Sequence, residues 1–259
     1  MYKRAEYFHI LDRWVTQGIN VTRAVHRGLW LGFLDGPALN QATAIKYSNW
    51  DKYQSSAYNL SGLAHWEQAV LERFFGDCRS ILLGGAGGGR EILGLLERGY
   101  QVDAFECNQK LVESCSQLLA SQEASASVIQ STPDQVPETL GRYDGLIVGW
   151  GTYMHIPGRD ARIHFLQAFR QHVFPGGPIL LSFFTRDPTS RHYHWVYQIA
   201  HRLRRLRRSA YPLELGDDLD GTFDHHFTES EIAEELHAGE FEMVHFSNTP
   251  YGHAVARAI

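Results

Sequence analysis

Five glycines in six positions, Gly84-Gly85-Ala86-Gly87-Gly88-Gly89, follow the apolar run Ile81-Leu82-Leu83 and precede Arg90-Glu91. So dense a run can continue neither a strand nor a helix and has to be a tight connection. There glycine admits positive φ and lets a ligand approach the main chain, while the helix that follows offers unpaired amides. The next apolar run, Val102-Asp103-Ala104-Phe105, ends in Glu106. About twenty residues beyond such a turn, a strand-end carboxylate can accept hydrogen bonds from both hydroxyls of a ribose. Turn and acid together predict a nucleoside site.

The flanking pattern agrees with that placement. Short apolar runs at 81–83, 102–105, 127–129, 146–148 and 179–181 alternate with amphipathic stretches such as Leu111, Cys115 and Leu118. This is how a parallel sheet with crossover helices reads. A helix from Glu229, with Thr228 or Ser230 as its cap, and strands at 241–246 and 254–256 close the chain. The expected fold is α/β, a Rossmann-like, doubly wound, seven-stranded, mostly parallel sheet. Residues 1–75 read as a helical N-terminal cap, with Ile10, Trp14 and Ile19 in one stretch and Leu63, Trp66, Val70, Leu71 and Phe74 in another. The core then spans 76–259, interrupted at about 186–222 by a helical insertion and an acidic turn from Gly216 to Gly221.

A dinucleotide fingerprint requires GxGxxG, whereas here the register is Gly85-x-Gly87-x-Gly89, with Arg90 in the place of the third glycine. That spacing resembles motif I of the class I S-adenosylmethionine-dependent methyltransferases. The resemblance extends through Tyr143-Asp144-Gly145-Leu146-Ile147-Val148-Gly149-Trp150-Gly151 and Phe174-Pro175-Gly176-Gly177, and more loosely through Asp224-His225-His226-Phe227-Thr228. It implies S-adenosylmethionine as cofactor and S-adenosylhomocysteine as product. Gly85, Ala86, Gly87 and Gly89 would lie under the methionine part, Glu106 and Cys107 at the ribose, and Asp134 or Gln130 near the adenine. Trp150 and Gly151 would border the donor, and one of Tyr47, Tyr53 and Tyr58 would reach it, with Tyr53 the first choice. Many members carry an acid two places before the first glycine; this chain has Leu83, which leaves the donor's amino group to backbone carbonyls or to Glu91.

Methyl transfer from a sulfonium needs alignment first and a base only for some acceptors. His155 and Tyr153, just past the fourth strand, are the first choices to face the acceptor, followed by His225 and His226. Adjacent residues of an extended segment point opposite ways, so at most one of the last two faces the pocket. The basic stretch Arg202 to Arg208 is either a solvated face packed through Leu203 and Leu206, a clamp for an anionic acceptor, or a contact with an acidic partner or membrane surface. The cap and the insertion carry tryptophans (Trp14, Trp30, Trp50, Trp66, Trp195) and in the resembled family cover the acceptor. They point to a small metabolite or short peptide, apolar or aromatic, with an anionic end as one option.

A net charge of -5 excludes a global positive field for nucleic acid. No apolar stretch reaches membrane-span length. The three cysteines lack metal or dithiol spacing and suit a reducing, cytoplasmic setting. His192-x-His194 beside His225-His226 is the one cluster that could suggest a metal, and no metal is expected. The expected reaction is O-methylation at a hydroxyl or carboxylate. A nicotinamide-dependent oxidoreductase and a non-catalytic binding protein are the rivals.

Overall fold

The structure is a computed structural model that describes residues 3–259, with side chains described from residue 5. A long helix, α1 (Lys3–Phe33), is followed by α2 (Gly36–Ser48), the single-turn helices α3 (Asp51–Gln54) and α4 (Ser56–Asn59), and α5 (His65–Phe74). Asp35 caps α2 by accepting from the Ala38 amide at 3.2 Å, and a proline sits in its first turn.

The core then runs β1 (Ser80–Gly84), α6 (Arg90–Leu96), β2 (Gln101–Glu106), α7 (Gln109–Ser121), β3 (Ser127–Gln130), β4 (Gly145–Val148), α8 (Arg159–Arg170) and β5 (Pro178–Phe183). After it come α9 (Arg191–Arg207), β6 (Asp217–Leu219), β7 (Phe223–His225), α10 (Glu229–Ala238), β8 (Phe241–Ser247) and β9 (Gly252–Ala258). Seven strands form one sheet in the order β3-β2-β1-β4-β5-β9-β8. The pairs from β3 to β5 are parallel, and β9 enters antiparallel between β5 and β8. The expected seven-stranded, mostly parallel architecture is the one observed.

Alternation along the strands divides the core in two. Leu82, Leu146, Ile179 and Leu181 face Phe165, Phe169, Ile232 and Leu236 of α8 and α10. Ile81, Leu83, Ile147 and Leu180 face Leu71, Ile92, Leu95 and Cys115 of α5, α6 and α7. Phe169 is wholly buried, and truncating such a ring costs about 3–5 kcal/mol. Thr228 caps α10, its hydroxyl accepting from the Glu231 amide while the Glu231 carboxylate returns to the Thr228 amide at 2.8 Å.

Two expectations need correction. The acidic turn at 216–221 belongs to a β-hairpin, β6–β7, in which Asp217 pairs with His225 and Asp218 with Asp224. Leu206 does not pack; it is exposed, and α9 is held instead by Val196, Ala200 and Arg204. Arg204 donates to the Leu31 carbonyl at 2.7 Å and to Tyr211, and Arg207 donates to the carbonyls of Gly32 and Phe33. These arginines satisfy the unpaired carbonyls that end α1, so they are helix-locking groups rather than an anion clamp. Ile10, Trp14 and Ile19 lie on α1, as a helical reading requires, and are exposed.

Candidate active site

The strand order reverses between β1 and β4, and a cavity opens beyond their C-terminal ends, where open α/β sheets place ligands. Its floor is the glycine turn. Gly87 has φ +54°, and a Cβ built there would meet no protein atom within 4 Å, so the turn presents bare main chain to the cavity. Gly88 answers a different constraint: a Cβ would stand 2.1 Å from the Tyr53 carbonyl, because the α3–α4 segment rests directly on the turn.

Glu106 ends β2 beneath this floor. One carboxylate oxygen accepts from the Gly87 amide at 2.9 Å and the other from the Asn108 amide at 2.8 Å. Each oxygen keeps a further lone pair for a ligand. Cys107, Asn108, Ser131 and Asp134 continue the wall, and the Asn40 amide of α2 donates to Asp134 at 2.6 Å. Burial raises the Asp134 carboxyl, against the lowering pull of Asn40.

At the other end, Arg90 donates to both oxygens of Glu67 at 2.7 Å, to Glu91 at 2.8 Å and to the Gly62 carbonyl. The Trp150 amide donates to the same Glu91 oxygen at 3.2 Å. One guanidinium thus serves two buried carboxylates and leaves the group one negative charge in excess. Burial raises the Glu91 carboxyl while Arg90 opposes the shift.

Aromatic rings close the cavity from the N-terminal segment. Tyr47, Tyr53 and Tyr58 all line it, with ring centroids 5.1 Å apart for the first two and 5.5 Å for the second and third. Burial pushes the Tyr53 hydroxyl up to about 12. Opposite them, Trp150 meets Tyr251 and Phe184 edge to face.

His155 lines the cavity at the end of a 3-10 turn over Thr152–His155. Its Nδ1 lies 2.8 Å from the Phe223 carbonyl and 3.0 Å from Asp224 Oδ1. Two acceptors on that side place the hydrogen on Nδ1, and Nε2 then accepts from the Tyr47 hydroxyl at 2.8 Å. The Nδ1 hydrogen is aimed at the carbonyl, so buried Asp224 Oδ1 acts as a charge beside the ring rather than as its hydrogen-bond partner. Burial raises the Tyr47 hydroxyl well above its ordinary value.

The structure brings Gly85, Gly87, Glu106, Cys107, Asp134, Trp150, Tyr53 and His155 together around one cavity. Others lie elsewhere. Ala86 is fully buried behind the turn, and Gly89, at φ +99°, begins α6 against Cys115. The Gly151 amide donates to Ser182 Oγ at 3.0 Å, shaping the turn without lining the cavity. Gln130, at the end of the edge strand, does not line it either.

Tyr153 is corrected: it is wholly buried, stacked on Phe227, and its hydroxyl donates to Glu235 at 2.7 Å. His225 points into the core beside Asp217 at 2.7 Å, and burial pushes its pKa down to about 4. His226, on the other face, pairs with the Tyr193 hydroxyl and packs on Phe184, one ring removed from Trp150. Nor do His192 and His194 join these two, since they engage Asp218 and the Ser190 carbonyl. No arginine of α9 and none of the five tryptophans of the cap and insertion lines the cavity. Asn40, Thr43 and Asn108 were not foreseen, because a polar residue on a helix or at a cap reads as solvated until the neighbouring segment is placed over it.

No protein-family model and no curated protein matches the sequence. Solved structures do. The 1,6-didemethyltoxoflavin-N1-methyltransferase of Burkholderia thailandensis, solved with its acceptor and S-adenosylhomocysteine, is 22% identical with a TM-score of 0.59, over 85% of this chain and 89% of that one. A SAM-dependent methyltransferase from Methanosarcina mazei is 18% identical with a TM-score of 0.58, over 76% and 99%. An amino pentose methyltransferase from Micromonospora echinaspora, solved with SAM, is 15% identical with a TM-score of 0.57, over 79% and 95%. The chain has the fold of the S-adenosylmethionine-dependent methyltransferases.

Proposed function

We propose that this cavity binds S-adenosylmethionine and that the protein transfers its methyl group to a hydroxyl oxygen of a small metabolite or short peptide, in a cytoplasmic setting. The carrying observation is the charge of the wall. Glu91, Glu106 and Asp134 line the cavity against one cation, Arg90, whose donors are already committed to Glu67, Glu91 and Gly62. A sulfonium and an α-ammonium suit that wall; the diphosphate of a nicotinamide dinucleotide would meet carboxylates and no free cation.

Glu106 would hold the ribose hydroxyls, Asp134 and Ser131 the adenine side, and the excess charge of the Arg90 group the ammonium. Glu91 would thereby take over the role of the acid missing at Leu83. The bound donor supplies an electrophilic methyl group. The protein aligns the acceptor, keeps water out with Tyr47, Tyr53, Tyr58 and Trp150, and takes up a proton. His155 has both nitrogens engaged, so it acts through Tyr47: the acceptor hydroxyl gives its proton to the Tyr47 oxygen as Tyr47 gives its own to Nε2, beside the Asp224 charge. Because no cation in the wall is free to hold a carboxylate, a hydroxyl is favoured over an anionic acceptor.

Calorimetry with S-adenosylmethionine, S-adenosylhomocysteine and NAD tests the first step. Heat with the two sulfur ligands and none with NAD is expected; silence with both sulfur ligands overturns the reading. Transfer of labelled methyl groups to a panel of hydroxylated acceptors separates an enzyme from a binding protein. In that assay Tyr47→Phe and His155→Gln should each lower turnover by about 10²–10⁴-fold with donor affinity retained.

A further inference from the structure

The helix α1 has 31 residues and is about 46 Å long at 1.5 Å per residue. Only its second half is packed. Ala24, Gly28, Leu31 and Gly32 lie against α9, where Gly28 meets Ile199 and Gly32 meets Leu203, so the two helices run in the same direction. Every residue from Ala5 to Arg23 is exposed.

Most of a helix's stability in a protein comes from the packing of an apolar face. This one has such a face. Tyr7, Leu11, Trp14, Val25, Leu29 and Phe33 recur at helical spacing and are exposed by 66, 64, 73, 40, 43 and 52%. Gly18 sits on the same stripe, with nothing within 4 Å of its Cβ position. The stripe runs beside the face that α9 covers and continues along the whole helix.

We propose that this stripe is the homodimer interface: α1 of a second copy lies antiparallel across it, crossing at Gly18. The symmetry of the sequence supports the pairing. Gly18 stands eleven residues from both Tyr7 and Leu29 and seven from both Leu11 and Val25, so antiparallel pairing of these residues sets Gly18 against its mate, where no side chain holds the helices apart. Tyr7 then lies over Leu29 and Leu11 over Val25, each exposed end covering the other copy's exposed half. The area is sufficient. A buried aromatic side chain hides about 150–250 Å², so the stripe with its neighbours Phe8, Val15 and Ile19 exposes on the order of 900 Å², against about 800 Å² per partner in a standard interface. The opposite face of the helix mixes Glu6, Asp12, Arg13 and Arg23 and the chain is net acidic, which favours a protein partner over an anionic bilayer.

Sedimentation equilibrium of the full chain at micromolar concentration provides the test, with donor calorimetry and circular dichroism as checks on folding. The expected result is a dimer that Leu11→Glu and Trp14→Glu each convert to monomer, with helicity of the body and donor affinity retained. Gly18→Phe, at the crossing point, should weaken the dimer by tenfold or more, whereas Asp12→Arg, on the opposite face, should leave it unchanged. A monomeric parent chain, a dimer indifferent to both glutamates, or a monomer that co-sediments with phosphatidylserine vesicles would overturn the proposal.

Discussion

Two arginines in this molecule each gather a pair of glutamates, and they do so to different ends. Arg162, wholly buried under the sheet, donates to both oxygens of Glu235 and to Glu214 at 2.8 Å, and Tyr153 adds its hydroxyl to Glu235. Arg90 does the same with Glu67 and Glu91, but Glu91 borders the cavity. The stoichiometry is equal and the exposure to a ligand is not. A buried ion pair is a costly way to add stability, since desolvation consumes most of the attraction. The second group is better understood as holding one charge ready at a place where a cation can arrive.

Breaking the sealed group should have the largest effect. Arg162→Met leaves Glu235 and Glu214 without their cation and should cost about 3–5 kcal/mol in denaturant unfolding. Such a loss accompanied by lost donor binding in the folded fraction would make the two groups one system. Glu106→Ala, at the open end, should weaken donor binding by about 1.5–3 kcal/mol in calorimetry with little change in unfolding midpoint. Glu91→Gln should weaken it by about tenfold, roughly 1.4 kcal/mol.

Its stability effect has the opposite sign. Burial raises the Glu91 carboxyl, so its contribution to stability is present below the unfolded pKa and lost as pH rises through the folded one. At neutral pH the glutamine variant should therefore melt no lower than the parent, and a clear fall in Tm would equate Glu91 with Glu235. The smallest effect belongs to Thr228→Ala, which removes the cap of the helix carrying Glu235 and should cost about 1 kcal/mol in unfolding while leaving donor affinity alone.

The open group was more legible in sequence than the sealed one. Glycine density and the distance to Glu106 are local signals, and they located the turn and the carboxylate that ends β2 beneath it. Leu83 announced a missing acid and Glu91 was named as a substitute, but the Arg90–Glu67 pair joins residues on separate helices and only packing reveals it. Tyr153 and His155 looked equivalent after the fourth strand. A 3-10 turn advances about 120° per residue, and two steps carry Tyr153 into the core and His155 to the cavity. The alternation of His225 and His226 was foreseen, yet the hairpin turns the first inward and seats the second against Tyr193, so neither reaches the cavity wall. Tyr47 could not be chosen over Tyr53 or Tyr58 by spacing, because its distinction is a bond to a residue 108 positions away.

That bond also sets a condition on timing. Tyr47 comes from α2, His155 from the turn after β4, and Asp224 from the β6–β7 hairpin, three segments that meet beside the cavity. With α2 lifted, the floor of glycines and Glu106 would still be whole, and a donor could enter or a spent one leave. The route for the proton would be cut, so the sulfonium could be held in an open protein without being attacked. On the proposed proton route, seating the N-terminal segment over the donor would at the same time arm the chemistry.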